Sequence, residues 1–188
     1  MNANKLVIGL TGMPGSGKSL VVQTAKEQGY DIVTMGDVVR EETAKRGLKP
    51  TPASVGKVML ELRKTNGDKV IAEKCIPKIE QKHSSRIIVD GLRSYIEAET
   101  FRKNLSNFVL ATIHASPQTR FERLSTRGRS DDPKAWKVFH ERDMRELSVG
   151  IGYAIALAEY VIINDSTKDA LKTKVEETLR SAETKWKK

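Results

Sequence analysis

Five short apolar runs recur along the chain: LVIGL (Leu6 to Leu10), DIVTM (Asp31 to Met35), RIIVD (Arg86 to Asp90), FVLATIHA (Phe108 to Ala115) and YVIIND (Tyr160 to Asp165). Each is rich in Val and Ile and apolar on both faces, which predicts strands buried inside a parallel sheet. Between the runs the polar positions carry helix punctuation. A first helix starts within GMPGSGKS (Gly12 to Ser19) and ends near Gly29. Another opens at SPQTRFERL, with Ser116 as N-cap and Pro117 in the first helical position. The last presents Leu171, Val175 and Leu179 as one apolar stripe, suited to packing on the sheet. Strands alternating with helices predict a three-layer α/β domain whose ligands bind beyond the carboxyl ends of the strands.

Two intervals depart from simple alternation. From Gly36 to Ser85 the pattern gives about three helical segments and no strand, so residues 37–85 are expected to form a helical insertion on the sheet rim. Gly47 to Pro52 and Asn66 with Gly67 bound its segments, and Pro77 is expected to kink or interrupt the third. Residues 125–134, around STRGRSDDP, are short, charged and broken by glycine and proline, and are expected to form a short lid. The 188 residues are expected to form one domain, 1–188, around a single core.

Charge narrows the partners. The chain has 33 Lys and Arg against 24 Asp and Glu, a net charge of +9, which suits a polyanion such as nucleotide phosphates, RNA or coenzyme A. The single cysteine, Cys75, excludes an internal disulfide and a thiolate metal cage. His83, His114 and His140 show no metal-ligand spacing. No run is long enough to span a bilayer, so a cytoplasmic protein with no membrane partner is expected.

GMPGSGKS fits G-x-x-x-x-G-K-[ST] and has the strand before it and the helix after it that this motif requires. The glycines let backbone N–H groups converge on phosphate oxygens, and the helix aims its positive end at the same anion. Lys18 is placed to neutralise β and γ phosphates, and Ser19 to join the shell of Mg²⁺. Such a cradle serves kinases, GTPases and motor ATPases alike. Asp90, at the carboxyl end of its strand, is placed to hold Mg²⁺ or its waters. Arg40 and Arg93 lie just beyond strand ends and could grip a second, accepting phosphate. Arg123, Arg127, Arg129 and Arg142 cluster around the expected lid and suit a transferring phosphoryl group. Arg120 and Arg145 are expected on a solvated face, with Phe121 and Leu124 opposite the arginine face.

In this order, GMPGSGKS, TMGDVVR, VDGLR, RLSTRGRSDD with ERD, IGY and VIINDST resemble the adenylate kinase group of nucleoside monophosphate kinases over nearly the whole chain. The likeness is greatest to an archaeal set labelled dephospho-CoA kinase-like or adenylate-kinase-related. The resemblance implies a P-loop kinase domain in which Gly12, Met13, Pro14, Gly15, Ser16, Gly17, Lys18 and Ser19 hold ATP. It implies that Arg40 and Arg93 hold the acceptor phosphate, that Arg123, Arg127, Arg129 and Arg142 surround the transferring group, and that Ser19 and Asp90 serve Mg²⁺. VDGLR is one residue shorter than the family's stretch, and Met35 stands where the family has threonine. Glu97 falls where the family reads the base with glutamine; a carboxylate there accepts but cannot donate, which hints at cytosine or guanine. Asp37 is expected to orient Arg40 or a water.

The expected activity is transfer of the γ-phosphoryl group of ATP, with Mg²⁺, to a nucleoside monophosphate. The nearest alternative is phosphorylation of a ribose hydroxyl, as in dephospho-CoA kinase, with Asp37 or Asp90 as base. A third is an ATPase switch in an RNA-binding or assembly factor, mildly favoured by net charge and by the basic tail Lys185 to Lys188 with Trp186.

Overall fold

In the computed structural model, which describes residues 4–129 and 132–187, every apolar run forms a strand. These are β1 (Leu6–Thr11), β2 (Asp31–Thr34), β3 (Arg86–Leu92), β4 (Asn107–His114) and β5 (Tyr160–Ile163). All pair in parallel, in the order β2-β3-β1-β4-β5. Side-chain alternation along β1 divides the core in two. Leu6, Ile8 and Leu10 face one layer, where they meet Val21 and Ala25 of α1 (Lys18–Glu27) and Leu171, Val175 and Leu179 of α9 (Lys168–Trp186). Val7 faces the other, with Ile87 and Val89 of β3 and with Val38, Ile71 and Phe101 among others. A parallel sheet covered on both faces is a three-layer α/β architecture.

Between β2 and β3 lie α2 (Met35–Lys45), α3 (Pro52–Asn66) and α4 (Val70–Glu80). Thr51 and Ser54 close α3 with a reciprocal capping box. Pro77 does not interrupt α4. Lacking an N–H, it deprives only the Glu73 carbonyl of its helical partner, while buried Val70, Ile71, Ala72, Cys75 and Ile79 hold the helix on the core. After β3 come α5 (Tyr95–Asn104), α6 (Pro117–Arg127), α7 (Trp136–Ser148) and α8 (Ile151–Ala156).

Ser116 caps α6 by accepting from the Thr119 amide, with Pro117 in the first turn. Because α6 runs to Arg127, residues 125–127 of the expected lid are helical. The helix stops at Gly128, with φ of +76°; Ser130 and Asp131 lie outside the described residues. The basic tail is the end of α9, with Lys188 outside the described residues. Trp186 packs on the core and donates its indole N–H to Asn4 at 3.0 Å, and Lys185 sits 5.0 Å from the centre of the Tyr160 ring. No helix among the described residues is long and apolar enough to cross a membrane.

Candidate active site

The loop joining β1 to α1 turns on glycines in the left-handed region: Gly12, Gly15 and Gly17 have φ of +145°, +82° and +111°. It is clamped from behind. A Cβ on Gly17 would lie 2.3 Å from Asn164 Nδ2, and one on Gly15 would lie 2.8 Å from the Arg120 carbonyl. Asn164, buried just past β5, donates to the Ser16 carbonyl at 2.8 Å. Pro14, Gly15, Gly17, Lys18 and Ser19 line a cleft of about 390 Å³. Gly12, Met13 and Ser16 are buried behind that surface. Lys18 folds over the loop, donating to the Gly12 carbonyl and to the Met13 carbonyl at 3.2 Å. Burial lowers its ammonium to about 8, against an opposing pull from Asp90.

The same cleft gathers all four arginines expected around a transferring group, Arg123, Arg127, Arg129 and Arg142. Arg123 reaches the carbonyl and side-chain oxygens of Asn164 at 3.3 and 3.2 Å, and its buried Nη1 has no hydrogen-bond partner among the described residues. Arg127 Nε donates to Asp132 at 3.0 Å, Arg142 lies 3.9 Å from the same carboxylate, and the Arg129 amide donates to it at 2.9 Å. Hydrogen bonding from Arg127 holds the Asp132 carboxyl below its usual range. Asp132 therefore gathers Arg127, Arg129 and Arg142.

Arg120 is not on a solvated face. It is buried, pairs with Asp143 of α7, donates to the Pro14 and Ala115 carbonyls at 3.2 Å each, and lies 4.9 Å from the centre of the Phe139 ring. Leu124 is also buried, one turn on, against Gly15, so the side of α6 carrying Arg120 packs on the loop. Arg145 is exposed.

A second cleft, of about 500 Å³, lies between α2, α3 and the carboxyl ends of β2 and β3. Met35, Val39, Val55, Met59 and Ile71 supply apolar walls, and Arg40, Arg63, Arg93 and Glu97 its main polar groups. Arg40 Nε donates to Asp37 at 3.0 Å. Arg93 Nη1 reaches both oxygens of Glu146, at 2.9 and 3.1 Å. Lys18, Asp90, Arg93 and Arg129 line both clefts, which therefore meet at these residues. Asp90 Oδ1 is buried without a hydrogen-bond partner among the described residues, and burial raises its carboxyl above the usual range, with Lys18 pulling the other way. An orphaned carboxylate oxygen beside Lys18 and Ser19 fits a divalent cation.

Glu97 takes a different place from the one expected. It is fully buried as the third residue of α5, where it and Ser94 form a capping box. One oxygen accepts the Arg93 amide at 2.8 Å and the Ser94 amide at 3.3 Å; the other accepts Arg63 Nη2 at 2.7 Å. Its carboxylate is thus engaged inside the protein. The sequence Ser-x-x-Glu at 94–97 carries that capping signal. Arg63, Asp143 and the structural role of Asn164 have no comparable local mark.

A family model described as "AAA domain" matches residues 11–138. The UPF0200 protein MJ1399 of Methanocaldococcus jannaschii is 51% identical over 164 residues, 86% of this chain and 83% of that protein. Among solved structures, TT1252 from Thermus thermophilus superposes with a TM-score of 0.67 at 14% identity, covering 94% of this chain and 97% of that one. The shikimate kinase of Bacteroides thetaiotaomicron gives 0.65 at 15% identity, covering 95% and 98%.

Proposed function

This chain belongs to the UPF0200 family and to the AAA domain family, on a P-loop kinase-like fold, and from that premise we propose that it transfers the γ-phosphoryl group of ATP to a nucleoside monophosphate. The observation that carries the reading is the junction of two basic clefts at Lys18, Asp90, Arg93 and Arg129. An ATPase needs one phosphate site, whereas transfer to a second phosphate needs two that face each other.

In this reading the loop amides and Lys18 hold the β and γ phosphates, and Arg40 and Arg93 hold the phosphate of the acceptor. An acceptor phosphate oxygen forms the new bond to the γ phosphorus while the bond to the β–γ bridging oxygen breaks, leaving its electron pair on ADP. The acceptor oxygen already carries charge at neutral pH, so no side chain need remove a proton. Arg123, Arg127, Arg129 and Arg142 offset the charge spread over the transferring group. Ser19 and Asp90 would hold Mg²⁺, which supplies further charge neutralisation at the β and γ oxygens.

A second reading has its own support. Asp90 Oδ1 has no hydrogen-bond partner among the described residues and its carboxyl is raised by burial, as suits a base for a hydroxyl acceptor such as the ribose of dephospho-CoA. ATP consumption measured against a panel of nucleoside monophosphates and dephospho-CoA separates the two. Turnover with a monophosphate supports the first; turnover with dephospho-CoA alone replaces it with the second.

A further inference from the structure

The phosphate-loop cleft suits polyanions, yet one carboxylate in it serves an arginine. Among the described residues its lining sets Lys18 and five arginines against two acidic residues, Asp90 and Glu146. Asp90 is placed for Mg²⁺. Glu146, on α7, has a side chain 13% exposed, and both its oxygens accept from one nitrogen, Arg93 Nη1, at 2.9 and 3.1 Å. Burial lowers the Lys18 ammonium; Asp90, and after it Glu146, pull the other way, which places Glu146 within electrostatic reach of the transfer centre. A negative charge there repels the phosphates that its neighbours attract, and what offsets that repulsion is its hold on Arg93.

Which nitrogen is taken decides what Arg93 can still do. The hydrogen bonds of its side chain all leave from Nη1, so Nε and Nη2 are uncommitted among the described residues. That edge of a guanidinium grips two phosphate oxygens at once, and a side chain 45% exposed where both clefts meet leaves it within reach of a ligand. Arg40 differs: its Nε and Nη2 both donate to Asp37 Oδ1, which leaves Nη1 alone. Of the two arginines placed for the acceptor, Arg93 is thus the one able to make a two-pronged grip while its carboxylate partner stays in place.

Resting on the phosphotransferase reading above, we propose that Glu146 is a positioning residue, which holds Arg93 by Nη1 so that its Nε–Nη2 edge meets the acceptor phosphate where the two clefts join. Both ends of Arg93 are then fixed: Glu97 accepts its backbone amide at 2.8 Å, and Glu146 holds its head. The same bond ties the end of β3 to the helix that carries Arg142, one turn before Glu146 on α7. The acceptor arginine and one arginine of the transferring group are therefore linked through Glu146. A carboxylate that competed with the phosphate would instead take the Nε–Nη2 edge, the edge that Asp37 takes on Arg40.

The test uses the full chain with ATP, Mg²⁺ and whichever 5′-monophosphate of uridine, cytidine, guanosine or adenosine is turned over fastest. Glu146→Gln keeps the shape and removes the charge. It should lower kcat/KM for that acceptor by about 10- to 100-fold, the range for a misplaced charge-assisted grip. ATP titrated alone by calorimetry should bind at least as tightly as to the wild type, because a repelling charge has gone. Arg93→Ala should lose at least as much with the acceptor, and adding Glu146→Gln to it should cost nothing further, since the two act as one unit. If Glu146→Gln fails to fold, Glu146→Asp, which withdraws the carboxylate by one methylene, is the second variant, with a loss in the same direction expected. An unchanged acceptor kcat/KM, or losses that add in the double variant, would overturn the inference. So would a rise in kcat/KM, which would make Glu146 a competitor of the phosphate, and so would an equal loss of ATP affinity, which would make it a prop of the cleft. ATP binding with no turnover of any monophosphate would instead overturn the phosphotransferase reading, and the inference with it.

Discussion

Arg120 of α6 and Asp143 of α7 form two hydrogen bonds, 2.8 and 2.5 Å long, in a pair shielded from water behind the phosphate loop. A third bond from the same guanidinium reaches the Pro14 carbonyl, so the pair fixes the loop as well as the two helices. Removing one partner strands a buried charge. Asp143→Ala should therefore lower unfolding free energy by about 3–5 kcal/mol. Arg120→Met with Asp143→Leu should recover most of that loss, because no charge is then stranded, yet ATP should still bind more weakly than to the wild type. Chemical denaturation and ATP titration of the two variants check both statements.

Gly17 is held with φ of +111° and has no room for a methyl group beside Asn164. Gly17→Ala is expected to cost at least about 2 kcal/mol and to abolish ATP binding, since the loop must move to relieve both strain and clash. Asn164→Ala leaves space but removes the bond to the Ser16 carbonyl, and should cost about 1–2 kcal/mol. Thermal unfolding with and without ATP distinguishes the two effects.

Lys18 gives a pH dependence of definite sign. Its ammonium is lowered from 10.5 to about 8 by burial, so between these values the unfolded chain holds a proton that the folded protein does not. Stability should therefore rise with pH across that window, and below it the buried charge opposes folding. Lys18→Met should stabilise the protein at pH 7 by about 1–3 kcal/mol, with the gain shrinking as pH approaches 10.5, while destroying ATP binding. In the wild-type protein, ATP binding above pH 8 should take up a proton. Calorimetry in buffers of different ionisation enthalpy measures that uptake.

Much of the framework is legible from local patterns, because β1, buried on both faces, is apolar from Leu6 to Leu10 and because Ser116–Pro117 marks the start of α6 chemically. The phosphate loop is legible for the same reason: its glycines and Lys18 are contiguous. What escapes are residues whose meaning comes from a distant partner. Arg120 sits among charged neighbours and reads as solvated until Asp143, 23 positions away, and Phe139 close over it. Asn164 braces the loop from 148 positions away. Glu97 misleads in another way: the resemblance to nucleoside monophosphate kinases suggests a base reader, while the nearer signal, Ser94 three residues before it, marks it as a cap.

The central claim is that two phosphate sites face each other across Lys18 and Asp90. A two-substrate analogue, five phosphates joining two nucleosides, tests this most directly by calorimetric titration against the wild-type protein and against Arg40→Ala. The account predicts one analogue per chain, bound at least 10-fold more tightly than ATP, with Arg40→Ala weakening the analogue by about 10-fold or more and leaving ATP unchanged. An analogue that binds no better than ATP, and is indifferent to Arg40, would contradict it.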